Sequence, residues 1–292
     1  MNLSVDEYYK KAFLRNIGLF SQKEQKKLRN FTIAIAGMGG VGGIHALTLA
    51  RMGIGNFHIA DSDNFEIVNI NRQIGANVSS FGKSKVKTIE KMIKDINPFA
   101  KVKVINEKIN EKNIDLFLKD VDIFIDGIDF FCIEARRLIF KKAKEKGIYV
   151  ITAGPVGFGA PWLIFAPNKM SFDEYFDIND KMSFDEKIIA FGLGLAPGGL
   201  QLKYMDIKRV NIHEKKGPSS VIACNLCSAI VACEAIKILL KKEKVLVVPH
   251  YMQFDLRRLK FKKGYMPFGN KNPIQKFKRW YAKKILKKYN KI

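Results

Sequence analysis

The sequence predicts an α/β fold, a Rossmann-like, doubly wound and mainly parallel sheet with C-terminal antiparallel closing strands and a basic C-terminal helix. Three observations carry this. A short β-branched run at residues 31–36 (FTIAIA) ends in the loop Gly37-Met38-Gly39-Gly40-Val41-Gly42-Gly43 and passes into a helical pattern. Strand-like and helix-like runs then alternate as far as Ala153. Past Gly154 the alternation stops, and two short strand-like runs near the end can close the sheet.

Residues 3–30 read as one or two polar, amphipathic helices. The helix after the glycine loop carries Ile44, Leu47, Leu49 and Ala50 and is stopped by Gly53 and Gly55. A second strand at 57–60 ends in Asp61. A helix over about 85–96 stops before Asn97-Pro98, because the proline ring clashes with a helical residue before it. Strands follow at 102–106 and 121–125, the latter leading into Asp126. A helix at 134–146 is closed by Gly147, and a fifth strand lies at 149–153. Residues 167–220 read as irregular and hold MSFDE twice, at 170–174 and 182–186. Residues 170–187 carry six acidic side chains, an acidic island in a basic chain. Residues 219–240 form an apolar helix, and 245–248 and 251–260 are the expected closing strands. The organisation is thus a helical segment (1–30), a nucleotide-binding domain (31–260) and a basic tail (261–292).

The formal charge is +23, and residues 256–292 hold fourteen Lys or Arg and no Asp or Glu. The charge is mostly a property of the tail. Such a tail is either a solvated end or is drawn to an anionic surface, phospholipid or nucleic acid. From Asn272 the tail reads as an amphipathic helix in which Phe277, Tyr281, Ile285 and Tyr289 recur every four residues, with Trp280 and Ile292 beside them. Three fates suit it: docking on its own domain, with the acidic island as partner; lying on an anionic membrane; or binding nucleic acid. No apolar run reaches the roughly 18 residues that span a bilayer, and the N-terminus lacks a signal-peptide core. The expectation is a cytoplasmic protein, with peripheral contact at the inner membrane surface as the tail's addition. The cysteines Cys132, Cys224, Cys227 and Cys233 form no disulfide framework.

Glycines let the backbone approach a phosphate, and the following helix N-terminus presents free N–H groups to it. Gly37-x-Gly39-x-x-Gly42 also fits the dinucleotide fingerprint, and Asp61 stands where that fold holds a ribose. These features alone do not separate NAD from ATP. Further along come Asp61-Ser62-Asp63, then Asn69-Ile70-Asn71-Arg72-Gln73, then Gly82 and Lys85, then Asp126-Gly127-Ile128-Asp129. Hydride transfer has no need of this extra arginine, lysine and carboxylate. Splitting a triphosphate does: the cations offset phosphate charge, and the carboxylate holds Mg²⁺.

The ordered set GxGGVG, DxD, NxNRQ, GxxK and DxxD resembles the ThiF/MoeB/E1-like activating enzymes, over roughly residues 12–250. The resemblance implies ATP- and Mg²⁺-dependent adenylation of a substrate carboxylate, with attack on the α-phosphorus and loss of pyrophosphate. By position, Gly37, Gly39, Gly40 and Gly42 form the nucleotide loop, and Asp61, beside Asp63, holds the ribose. Asn69, Arg72 and Lys85 surround the phosphates with Gln73 beside them, and Asp129 holds the metal. Arg15 matches an arginine that reaches into the partner subunit's site, which implies a homodimer. The implied substrate is a ubiquitin-like or sulfur-carrier protein C-terminus, a peptide, or an acyl group on tRNA. No aromatic-interleaved RNA module is visible.

Two departures narrow the class. Residues 154–223 contain no cysteine, so a thioester on the loop after the fifth strand is not expected. The pair Cys224–Cys227 lacks the second CxxC that structural zinc needs, so these two and Cys233 read as small buried hydrophobes, and Cys132 as packing. The rival readings are an NAD- or FAD-dependent oxidoreductase on the same fold, and a non-catalytic scaffold.

Overall fold

The computed structural model describes residues 3–289, so Ile292 of the aromatic stripe lies outside the described residues. Two helices come first, α1 (Val5–Ala12) and α2 (Gln22–Leu28). Each opens on a capping box, Ser4 with Glu7 and Ser21 with Glu24. There follow β1 (Thr32–Ala36), α3 (Gly42–Arg51), β2 (Asn56–Ala60), α4 (Lys85–Ile96), β3 (Lys101–Ile105), α5 (Ile114–Phe117) and β4 (Ile123–Asp126). Then come α6 (Ile133–Glu145), β5 (Tyr149–Ala153), β6 (Gly159–Phe165), α7 (Phe172–Phe176) and α8 (Phe184–Leu195). The chain ends with α9 (Val221–Leu240), β7 (His250–Asp255), β8 (Lys260–Tyr265) and α10 (Pro273–Lys288).

Contacts gather the chain into two compact units. The first reaches to Gly127 and takes in Ser228–Val245; the second comprises Ile128–Cys227 and the chain from Leu246 onward.

In the first unit the strands lie in the order β3-β2-β1-β4, all parallel. The register pairs Ala36 with Ala60 on one side and with Asp126 on the other, so three strands end level. Ile33, Ala34 and Ile35 are fully buried, as a strand covered on both faces requires. This is the Rossmann-like core that the sequence predicts.

Helix α9 is a described helix long and apolar enough to cross a bilayer by length and composition, against the expectation that no run reaches that length. Asn225, Glu234 and Lys237 interrupt its apolar run, so no unbroken stretch showed. Its stretch within the first unit is core: Val231, Ala235 and Ile236 are buried. The Ser228 hydroxyl lies 2.8 Å from the Thr48 hydroxyl and 3.1 Å from the Ile44 carbonyl.

In the second unit β5-β6-β7-β8 are antiparallel neighbours. Strand β6 was not anticipated. All seven of its residues are buried, so it shows none of the alternation that marks a half-exposed strand. The closing strands also shift. Residues 245–248 form no strand, and the run read as 251–260 is two strands parted by a turn at 256–259. Pro249, without an N–H, stands before the ladder begins.

The segment read as irregular contains α7 and α8. The repeated MSFDE is a helix start used twice. Ser171 and Ser183 each accept the backbone N–H of Glu174 or Glu186, whose carboxylate accepts the serine N–H in return. An aromatic core of Phe140, Phe165, Phe172, Tyr175, Phe176 and Phe191 lies beneath. Helix α10 docks against α8. Arg279 pairs with Asp177 at 2.6 Å and Lys283 with Glu186 at 2.7 Å, so the acidic island is the tail's partner. Cys224 and Cys227 are buried as expected, but Cys132 and Cys233 are exposed. Cys132 precedes the first turn of α6, where it meets solvent and not the core.

His45 on α3 is buried, and neither ring nitrogen has a partner among the described residues. Burial pushes its pKa down to about 3, from an ordinary 6.5. The folded value lies below the unfolded one, so between them only the unfolded chain takes the proton. Stability is therefore full above pH 6.5 and falls as pH drops toward 3, by about 1.4 kcal/mol per pH unit. Urea unfolding of wild type and His45→Leu at about pH 5 and pH 7 checks this. The variant is expected to show the flatter dependence, and parallel curves would mean that His45 is not held neutral.

Candidate functional site

The site grows from the level ends of β1, β2 and β4. The order β3-β2-β1-β4 reverses between β1 and β4, which opens a crevice at the strands' carboxyl ends. Gly37 leaves β1 with φ of +86°, a left-handed turn that favours glycine. At Gly42 a Cβ would stand 1.7 Å from the Gly37 carbonyl oxygen. At Gly127, just past β4, a Cβ would lie 2.5 Å from the same oxygen and 2.8 Å from the Gly42 Cα. Three backbones thus pack with no room for side chains, and the loop lies flat at the start of α3.

Asp61 fixes the loop from β2. Its Oδ2 accepts the Met38 N–H at 2.6 Å, and its Oδ1 accepts the Asp63 N–H at 2.7 Å. Burial raises its pKa, while these two N–H groups oppose the rise. Each oxygen keeps a further lone pair for a ribose hydroxyl. Lys85, the first residue of α4, is buried, and its Nζ lies 3.2 Å from Asp63 Oδ2.

Residues 65–82 form a hairpin-like excursion of short turns. Asn69 is buried there and accepts the Glu66 N–H at 3.0 Å, while its own carbonyl accepts the N–H groups of Arg72 and Gln73. Arg72 is half-buried, with Nη1 donating to the Val68 carbonyl and to Asn71 Oδ1. Gln73 is buried, with Nε2 3.5 Å from where a Gly39 Cβ would stand. Its Oε1 has no partner among the described residues, so an acceptor beside the loop waits for a donor. That orphan and the paired lysine are what a polar, phosphate-bearing ligand would complete.

The first unit therefore gathers Gly37, Gly39, Gly40, Gly42, Asp61, Asp63, Gln73 and Lys85 about the loop, while Asn69 and Arg72 stand in the turn that carries Gln73, with their side chains bonded within it. Arg15 is exposed in a short turn after α1 of the same unit. Asp129 belongs to the second unit, two residues beyond Gly127. It is exposed, with Oδ1 accepting the Phe131 N–H at 2.9 Å. Sequence reasoning missed the group that shapes this loop. Arg136 is buried and donates to the Ile128 carbonyl at 2.6 Å and to the Asp129 carbonyl at 3.2 Å, with its guanidinium over Phe191. Its place on the apolar side of α6, between Ile133 and Phe140, was the available signal. No group of three or more His, Cys, Asp or Glu suited to a metal occurs among the described residues. Mg²⁺ needs no such cage, because it commonly uses one or two carboxylates, substrate phosphates and water.

A glycine loop at the switch point of a parallel sheet, with a carboxylate after the next strand, defines a nucleotide-binding α/β protein of Rossmann type. The chain belongs to the ThiF family, whose model matches residues 13–274. It is 36% identical over 105 residues to a tRNA threonylcarbamoyladenosine dehydratase of Bacillus subtilis, covering 36% of this chain and 41% of that protein. It is 37% identical over 102 residues to ubiquitin-like modifier-activating enzyme 5 of Gallus gallus, covering 35% of this chain and 25% of that one. The chain thus spans less than half the length of either relative. Escherichia coli MccB with ATP shares the fold, with a TM-score of 0.67 at 21% identity over 90% of this chain and 74% of that one. So does the E. coli tRNA N6-threonylcarbamoyladenosine dehydratase TcdA, with a TM-score of 0.60 at 20% identity over 82% and 98%.

Gly42→Ala is expected to force the loop open and to destabilise the chain by at least about 2 kcal/mol. Gly39→Ala meets only ordinary contacts and is expected to stay within about 1 kcal/mol of wild type. Thermal and urea denaturation of both variants decide this; equal stabilities would remove the close-packing argument.

Proposed function

We propose that this chain uses ATP and Mg²⁺ to adenylate a substrate carboxylate, carried by a peptide or by the C-terminus of a small carrier protein. The observation that carries the reading is the buried Lys85, paired with Asp63 beside a glycine loop that Asp61 and Gln73 line. Family membership and the fold shared with an ATP complex support it. A hydride-transfer enzyme on this fold has no use for that lysine or for Arg72.

ATP supplies the electrophilic α-phosphorus and pyrophosphate as leaving group; the carboxylate oxygen forms the new bond to phosphorus as the bond to pyrophosphate breaks. The protein's part is positioning and charge. Loop N–H groups and the start of α3 receive phosphate oxygens. Asp61 receives the ribose, and Gln73 Oε1 accepts a hydrogen bond from the nucleotide. Lys85 and Arg72 offset the charge that gathers on the departing pyrophosphate. Asp129 would hold Mg²⁺ through its exposed carboxylate, with Arg136 keeping its loop in place. Residues 154–223 contain no cysteine, so the acyl-adenylate passes to a nucleophile other than a thiol of that segment.

ATP–pyrophosphate exchange with candidate carboxylates tests the reading. Asp129→Asn is expected to lower exchange by about 100-fold or more while circular dichroism stays unchanged. Full exchange in the folded variant would take Asp129 out of the site, and tight NAD binding with no response to ATP would replace the reading with the oxidoreductase.

We also propose a homodimer. Ile67, Val68, Ile70 and Val78 are exposed around Asn69 and Arg72, and Leu14 and Leu19 are exposed around Arg15. Apolar residues massed beside a polar site suit a subunit contact. If Arg15 completes the partner's site, mixing Arg15→Ala with Arg72→Ala subunits restores part of the exchange, because one composite site regains both arginines. Mixed dimers that stay inactive would refute the shared site.

A further inference from the structure

The tail helix α10 docks on its own unit, but with its charged face. Lys278 donates to the Pro197 carbonyl at 2.9 Å, Arg279 and Lys283 reach Asp177 and Glu186, and Gln275 is buried. These four residues point inward with half-buried Ala282, Ile285 and Leu286, so Ile285 leaves the expected stripe and the outward face carries Phe277, Trp280 and Tyr281. Ile274 is 66% exposed, Phe277 62%, Trp280 58% and Tyr281 53%. On an ordinary surface helix the apolar side is covered and the lysines are outside. Here the covered side holds Lys278, Arg279 and Lys283 beside Ala282 and Leu286, and the bulky rings stay outside.

The outward rings form one ridge. Phe277 stacks on Tyr281 with centroids 6.3 Å apart and planes 9° apart, and Trp280 packs on Phe277 at 5.7 Å. Lys276, Lys284, Lys287 and Lys288 are exposed among them, and the ammonium of Lys284 lies 5.5 Å from the Trp280 ring centre. The helix carries no acidic residue.

We propose that this outward face of α10 is a docking surface for an anionic lipid bilayer, with the ring ridge entering the interfacial layer and the four lysines meeting headgroups. Trp and Tyr prefer that layer, and long lysine chains beside them keep their ammonium groups in the headgroups. The inward bonds hold the helix along the protein surface, as lying in the interface plane requires. Charge complementarity selects the partner: a face of lysines without carboxylates matches a negative surface. The ridge decides between lipid and nucleic acid. Single strands insert bases between separate rings, whereas these rings already cover one another. Continuous apolar relief suits an acyl boundary.

The test is co-sedimentation of the full chain with vesicles of neutral phosphatidylcholine alone and with phosphatidylglycerol added. Binding is expected only with the anionic vesicles, weakening as salt rises. Lys284→Gln and Lys287→Gln should each weaken it about fivefold. The double variant Phe277→Ser, Tyr281→Ser should abolish it, with circular dichroism and pyrophosphate exchange unchanged, since none of these residues belongs to the nucleotide site. Trp280 emission should shift to the blue on binding, against a background from buried Trp162. Failure to pellet, equal pelleting with neutral vesicles, or full binding by the double serine variant would overturn the proposal. So would tighter binding to RNA through the same lysines with no response to the serine pair. Exchange activity is measured separately, so failure of the adenylation reading shows there and leaves the vesicle result standing.

Discussion

The Gly37 carbonyl, with Gly42 and Gly127 packed against it, is the contact on which the first unit's site depends. A Cβ at either partner would enter the van der Waals shell of that oxygen, so the loop can lie on the strand ends only with bare backbone there. Everything else is referred to this loop. Asp61 grips its Met38 N–H from the neighbouring strand, and Gln73 lies against Gly39. The parallel register puts Ala36, Ala60 and Asp126 level, so the loops that follow them open on the same edge. Sheet order and glycine positions are therefore two statements of one geometry.

Electrostatics in the two units follows different rules. At the first unit's glycine loop one ammonium is drawn inward: Lys85 is buried, paired with exposed Asp63 and close enough to Asp61 to oppose the rise in its pKa. In the second unit Arg137 meets Asp173, Asp180 and Glu134 together, and burial is offset within the cluster. Those bonds raise the Arg137 pKa above its ordinary value and lower that of Asp180. That cluster fixes α6 to the segment after β6 and leaves little for a ligand. The contrast supports placing phosphate chemistry in the first unit and structural ion pairing in the second.

The tail combines these modes. Its inward cations are spent on Asp177 and Glu186, while on the outward side the Lys284 ammonium lies beside the Trp280 ring. An amphipathic helix can satisfy a host surface through either face. Here the acidic island, poor in exposed apolar groups, takes the cations and leaves the rings outside. Two of the fates that suit such a helix, docking and offering a surface, are then compatible, because they use opposite faces.

The sequence by itself determined what depends on neighbours along the chain. The glycine loop, the strand–helix alternation to Ala153 and the ordered motifs from Asp61 to Asp129 were legible, because β-branched runs, glycine turns and helix stops are local physics. Even MSFDE holds its meaning locally, as the serine-to-glutamate spacing of a capping box. Only the tertiary structure decided the rest. Strand β6 has no alternation because both its faces are covered, and that covering is supplied by residues far away in sequence. Arg136 was hidden for the same reason: its acceptors, the Ile128 and Asp129 carbonyls, matter only once α6 packs with the arginine inward. Cys132 shows the converse, exposed despite an apolar neighbourhood in sequence. Which face of α10 turns outward was likewise beyond periodicity. A stripe says that a helix has two sides, and only the partner it meets decides which one is covered.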